Sequence, residues 1–114
     1  MGKIKKSHGP RGNKISLAFK GENGVAAQVG VWLEHLGYSV NKEDEDSDFK
    51  ILTSTEDARI LSEDPDVLVS FNNVDAEVQK ELEKRSVVIN VNPDLAESKK
   101  FEVVMKNLGK YLHL

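Results

Sequence analysis

The sequence predicts a single α/β domain, a three-layer Rossmann-like sandwich around a mainly parallel sheet of four or five strands. Three observations lead there. Short apolar runs alternate with stretches of helical periodicity along the 114 residues. Two runs, at 67–71 and 87–91, are almost uninterrupted, as in strands covered on both faces. The first run, at 15–19, passes through a turn with two glycines straight into a helical pattern, which is how a βαβ unit opens.

Each element has its own signal. After the strand at 15–19, a helix places Val25, Val29, Trp32, Leu33 and Leu36 on one apolar stripe, with Gln28, Glu34 and His35 off it. Gly37 stops that helix. Residues 38–40 read as a short second strand and 43–48 as an acidic run unfit for a core. The strand at 49–53 follows, with antiparallel pairing to 38–40 through the acidic loop as one option. A short helix is expected at 55–61, where Ser54 and Asp57 resemble a capping box. Asp64-Pro65-Asp66 punctuates the chain before the strand at 67–71, and Asn72-Asn73 ends that strand. A charged helix near 75–85 offers only Val78 and Leu82 as its apolar seam. The strand at 87–91 closes at Asn92-Pro93-Asp94, because Pro93 has no N–H for a ladder. The last helix, 97–112, packs through Phe101, Val104, Met105, Leu108 and Leu112. The expected core is Leu17, Phe19, Val29, Leu33, Leu36, Ile51, Val67, Val69, Phe71, Val87, Ile89 and Val91, and Trp32 is expected to join it from the helical stripe.

Composition narrows the function classes. Hydrophobic residues make up 39% and charged residues 31%, the balance of a globular rather than a disordered chain. The apolar runs fall far short of the roughly 20 residues that span a bilayer, and no apolar segment follows the N-terminal lysines, so the expected compartment is the cytoplasm. With no cysteine, the chain has no disulfide, thiol nucleophile or Cys-ligated metal. His8, His35 and His113 lie far apart without carboxylates at ligand spacing, so no metal site is expected. The net charge of −3 conceals an asymmetry: residues 1–14 hold five basic side chains and no acid, leaving about −8 on residues 15–114. The division expected is a flexible basic tail at 1–14 and the α/β domain at 15–114. The tail reads as a solvated segment, native or vector-derived, with nucleic-acid contact as its functional alternative.

In open α/β sheets, ligands bind beyond the carboxyl ends of the strands. Three such ends carry polar tips here: Lys20, Gly21, Asn23 and Gly24; Asn72 and Asn73; and Asn92. These seven residues are the candidate anion- or cofactor-binding set, with no catalytic residue among them. Glycines let backbone approach a phosphate closely, and unpartnered N–H groups at a helix start receive anions. Glu22 opposes an anion beside the same turn. The alternative is structural, with glycines for tight turning and asparagines as caps. The turn is neither a Gly-x-Gly-x-x-Gly nor a Walker loop, so the cofactor is unspecified.

One resemblance extends over about residues 15–95. Glu63-Asp-Pro-Asp-Val-Leu-Val-Ser-Phe-Asn72, a charged helix, and Val87-Val-Ile-Asn-Val-Asn92 resemble the gamma domain of 2-oxoacid:ferredoxin oxidoreductases. The family's strand–glycine turn–helix opening corresponds to Phe19-Lys-Gly-Glu-Asn-Gly-Val-Ala-Ala-Gln28, which retains only the outline of the family's Gly-x-Gly-Gly-Gln-Gly turn. An Arg-Gly-Gly segment usual in the family is missing. The resemblance implies a non-catalytic accessory chain in an oxidoreductase-like assembly, or a stand-alone descendant, with thiamine diphosphate and iron–sulfur centres on other domains. The function expected is therefore a small ligand-binding or assembly domain without independent catalysis, its partners being other subunits or a small anion. The alternatives are a receiver-like or IIB-like regulatory or phosphocarrier module, and nucleic-acid or protein interaction through the basic arm. Against the phosphocarrier reading, Asn72 stands where a phosphorylatable Asp is wanted, and the IIB cysteine is absent.

Overall fold

A computed structural model describes residues 15–21, 23–41, 47–71 and 74–112. Among the described residues four strands and four helices alternate strictly: β1 (Ile15–Lys20), α1 (Asn23–His35), β2 (Phe49–Ser54), α2 (Asp57–Glu63), β3 (Val67–Ser70), α3 (Ala76–Glu83), β4 (Val87–Asn90) and α4 (Glu97–Leu112). The strands form one sheet in the order β2-β1-β3-β4, and every pairing is parallel. The α/β, Rossmann-like class read from the sequence is the class observed.

Alternation along the central strands builds two cores, one on each face of the sheet. Leu17 and Phe19 of β1, Val67 and Val69 of β3, and Phe71 beyond it pack against Val25, Val29 and Leu33 of α1 and Val104 and Leu108 of α4. Their neighbours Ala18 and Leu68 face the other way, onto Ile60 of α2 and Leu82 of α3. All four residues of β3 are buried, which explains its uninterrupted apolar run.

The helix ends follow local chemistry. Gly37, at φ +103°, ends α1. Its N–H reaches the Glu34 carbonyl at 2.9 Å and the Tyr38 N–H reaches Leu33 at 3.0 Å, which is the paired bonding of a Schellman motif. Asp75 caps α3 by accepting from the Glu77 N–H at 2.9 Å.

Five expectations need correction. Residues 38–40 form no strand. The Tyr38 N–H is spent closing α1, and only Val40 bridges Phe49, in parallel rather than antiparallel sense. Ser39 and Asp48 lock instead to each other through backbone and side chains. Leu36 is 47% exposed because it lies in the turn past the helix end, and Trp32 is 44% exposed at the margin of the stripe, edge-on to Phe101 at 6.4 Å. Ile51 and Val87 are only partly buried, since β2 and β4 are the sheet edges. Finally, α2 starts at Asp57 with Glu56 at its cap position and no side-chain cap. Ser54 Oγ accepts from the Glu56 N–H at 3.0 Å, and Asp57 is used elsewhere.

The exposed edge of β2 is closed by one side chain. Asn41, at φ +53°, donates its backbone N–H to the Phe49 carbonyl, and its amide pairs with both the N–H and the C=O of Ile51 at 2.7 and 3.3 Å. The amide thus takes the place of a neighbouring strand at a position open to unwanted pairing.

Candidate functional site

The strand order reverses between β1 and β3, so the switch point lies at their carboxyl ends. Register puts Lys20 beside both Ser54 and Ser70, and Ser70 beside Asn90, so the tips of all four strands share one rim. Beyond them the Phe71 N–H bonds the Lys20 carbonyl and the Val91 N–H bonds the Ser70 carbonyl, carrying the chain toward Asn92. Lys20, Gly21, Gly24 and Asn92 are therefore gathered along that rim, with Asn23 opening α1. Asn72 and Asn73, and the opposing Glu22, lie outside the described residues.

The rim has two sides with different chemistry. On the α2–α3 side, Lys20 follows Ala18 in pointing away from α1, and its side chain is only 10% exposed. Asp57 at the start of α2 meets it: Asp57 Oδ1, itself out of solvent, is 2.5 Å from Lys20 Nζ. Asp57 Oδ2 accepts from the Asp75 N–H at 3.0 Å, just before α3. Burial acts to raise the Asp57 carboxyl, but the Lys20 ammonium and the Asp75 amide together hold it below its ordinary value. One carboxylate thus joins the end of β1 to the starts of α2 and α3.

On the α1–α4 side, a Glu97 carboxylate stands against the start of α1. A Cβ added at Gly24 would sit tightly against Glu97 Oε2, at 3.2 Å. Gln28 donates its amide to the same carboxylate oxygen. A carboxylate beside a helix start is favourable through the partial positive charge there. Nearby, Lys100 lies over the buried Phe71 ring, 5.8 Å from its centroid. At the end of β4, the Asn92 side-chain oxygen accepts from the Asp94 N–H at 2.9 Å and shapes the turn.

Lys20 is engaged by Asp57 and Asn92 by its own turn, while Glu97 stands at Gly24. The residues that organise the rim, Asp57, Asp75 and Glu97, escaped sequence reasoning because their partners are 18 to 73 positions away. Local spacing marks Asp57 and Asp75 only as caps, not as partners across the rim.

A second surface is conspicuous on the outward face of α1. Of its thirteen residues only Glu34 is formally charged, whereas α4 carries six charged residues in sixteen. Val31 is 67% exposed and Trp32 is 44% exposed on this face. Val31 is a ridge between two open grooves. One, about 530 Å³, lies toward α4 and is lined by Ala27, Gln28, Trp32, His35 and Phe101. The other, about 490 Å³, lies toward β2 and reaches Glu34, Asn41 and Thr53. Sequence reasoning missed this face, placing Trp32 in the core; the signal that could have found it is a helix with one formal charge in thirteen residues, a pattern that belongs to helices covered all round.

Among the described residues, no helix is long and apolar enough to cross a membrane. Compared with protein-family models, curated proteins and solved structures, the chain matches none.

Proposed function

We propose that this chain is a non-catalytic assembly domain, comparable in role to an oxidoreductase gamma domain, that docks on a protein partner through the outer face of α1. The observation that carries the reading is the exposure of Val31 and Trp32 on a helix with one charge in thirteen residues. A soluble surface helix ordinarily turns charged residues outward, and an apolar outer face beside open grooves is what a partner covers. The resemblance of 63–72 and 87–92 to the gamma domain agrees, since that domain works inside a larger assembly.

The test is purification of the tagged chain from cells that make it natively. A stoichiometric companion chain is expected, retained by Lys106→Ala on α4 and lost by Val31→Glu. A companion equally retained by Val31→Glu overturns the reading.

The rim supports a second reading, a small-anion or cofactor site, because it gathers Lys20, Gly21, Gly24 and Asn92 at the switch point. Its charge balance is less favourable, with Asp57 on Lys20 and Glu97 at Gly24. Thermal-shift measurement with nucleotides, coenzyme A and phosphate separates the two. A rise in melting temperature with one of them, lost in Gly24→Asp, favours the rim. No shift leaves the α1 face.

A further inference from the structure

We infer that the partner covers the α1 face with a basic amphipathic helix, an apolar stripe with lysine or arginine toward both ends. This rests on the assembly reading and gives the partner its chemistry.

The charges of the face point to it. Glu97 stands against Gly24 at the start of α1, and Glu34 lies in the last turn of that helix. Both are exposed, and among the described residues neither has a lysine or arginine partner. Glu97 receives only the neutral amide of Gln28. The lysines nearest to it on α4 are engaged elsewhere, Lys99 with Glu102 at 3.3 Å and Lys100 over the Phe71 ring. No lysine or arginine lines either groove beside Val31. The face is thus apolar in its middle and acidic toward both ends of α1. Cations brought to those ends complete two open carboxylates and steer the encounter. The exposed Trp32 ring offers one of them a π face beside the groove.

The shape of the face selects a helix. Strand addition at the neighbouring sheet edge is blocked, because the Asn41 amide already occupies the N–H and C=O of Ile51 in β2. Val31 instead separates two open grooves of about 530 and 490 Å³, relief that receives the side-chain rows of a packed helix. Gly24 and Glu34 are ten positions apart on α1, a rise of roughly 15 Å. A helix laid along α1 therefore carries its basic positions about three turns apart, with apolar residues at every third or fourth position between them.

Two other occupants fit the charges or the shape less well. A second copy seated face to face brings the same carboxylates and no lysine or arginine from its own grooves. Residues 1–14 bring five basic side chains, but Gly2, Gly9, Pro10 and Gly12 break up any helical stripe.

The experiment uses the companion recovered with the full chain by native purification. Titration calorimetry at low and high salt compares wild type, Glu34→Lys, Glu97→Gln and, as a control away from the face, Glu77→Lys on α3. Circular dichroism confirms the fold of each variant, and Glu97→Gln serves if Glu34→Lys does not fold. Carbodiimide, which joins a carboxylate to a lysine amine in contact with it, then maps the segment by mass spectrometry. Glu34→Lys is expected to weaken binding about 3- to 10-fold and Glu97→Gln somewhat less, with Glu77→Lys unchanged. Wild-type affinity falls with added salt. Links from Glu34 or Glu97 should reach lysines that bracket an apolar helical stripe of the companion; an arginine partner gives the affinity loss without the links. A companion lost on Val31→Glu but bound equally well by Glu34→Lys and Glu97→Gln overturns the basic helix and leaves the assembly reading standing. Links to a second copy or to residues 1–14 overturn it as well. A companion that Val31→Glu retains, or none at all, removes both.

Discussion

Replacing Asp57 by alanine tests the account of the rim most sharply, because the two halves of the Lys20–Asp57 pair are unequally buried. Lys20 has 10% of its side chain exposed and Asp57 has 24%. Removing one member of a fully buried pair costs about 3–5 kcal/mol, chiefly because the other charge is stranded. Asp57 retains solvent access, so the pair sits below that range, but its loss also removes the acceptor for the Asp75 N–H. Asp57→Ala is therefore expected to cost about 2–3 kcal/mol. Lys20→Met leaves Asp57 with the Asp75 amide and water and fills the buried site with a side chain of similar length, a cost of about 1 kcal/mol or less. The double variant should recover part of the Asp57→Ala loss. For a domain of this size the single carboxylate change lowers the melting temperature by roughly 10–20 °C. Urea unfolding of the four proteins measures all three differences. A Lys20→Met cost equal to or greater than that of Asp57→Ala refutes the view that the carboxylate exists to hold a buried ammonium.

The same pair fixes a pH dependence. Asp57 lies below its ordinary value of 3.8 when folded, so on acidification the unfolded chain takes up the proton first. Its stabilisation is complete above that value and declines as pH falls through the lower folded one. The stability gap between wild type and Asp57→Asn should be level above about pH 5 and narrow below about pH 4. Gly37→Ala forces a Cβ into φ +103° and should cost about 1 kcal/mol or more by urea unfolding, with α1 otherwise intact by circular dichroism. Asn41→Ala bares the Ile51 backbone at the β2 edge and should cost about 1–2 kcal/mol, with faster amide exchange at Ile51. Unchanged exchange there would show that the amide is not guarding the edge.

What the sequence made legible was whatever depends on neighbours in the chain. The buried run at 67–71, the Gly37 stop and the 97–112 helix follow from local periodicity and turn chemistry and appear where expected, whereas the run at 87–91 forms its strand at a sheet edge and is only partly buried. Residues 38–40 misled because three residues of good strand composition lie next to a helix cap that takes the Tyr38 N–H. Composition does not record that competition. Ser54 and Asp57 had the spacing of a capping box, yet Asp57 turned to Lys20, 37 positions earlier, because register sets that ammonium beside the start of α2. Trp32 and Leu36 had helical spacing but lie at the margin and beyond the end of the face that meets the sheet. At the site, the rim followed from strand ends alone, whereas its internal carboxylates follow only from tertiary contacts.

The central claim, that the outer face of α1 is a surface built to be covered, has a built-in reporter. Trp32 is the single tryptophan of the chain, 44% exposed in the monomer and on the wall of the groove beside Val31. Hydroxyl-radical oxidation of Trp32, read by mass spectrometry in the assembly purified from native cells and in the isolated chain, is the most direct measurement. The account predicts that Trp32 is protected in the assembly and oxidised in the isolated chain. Equal oxidation of Trp32 in the two would contradict it.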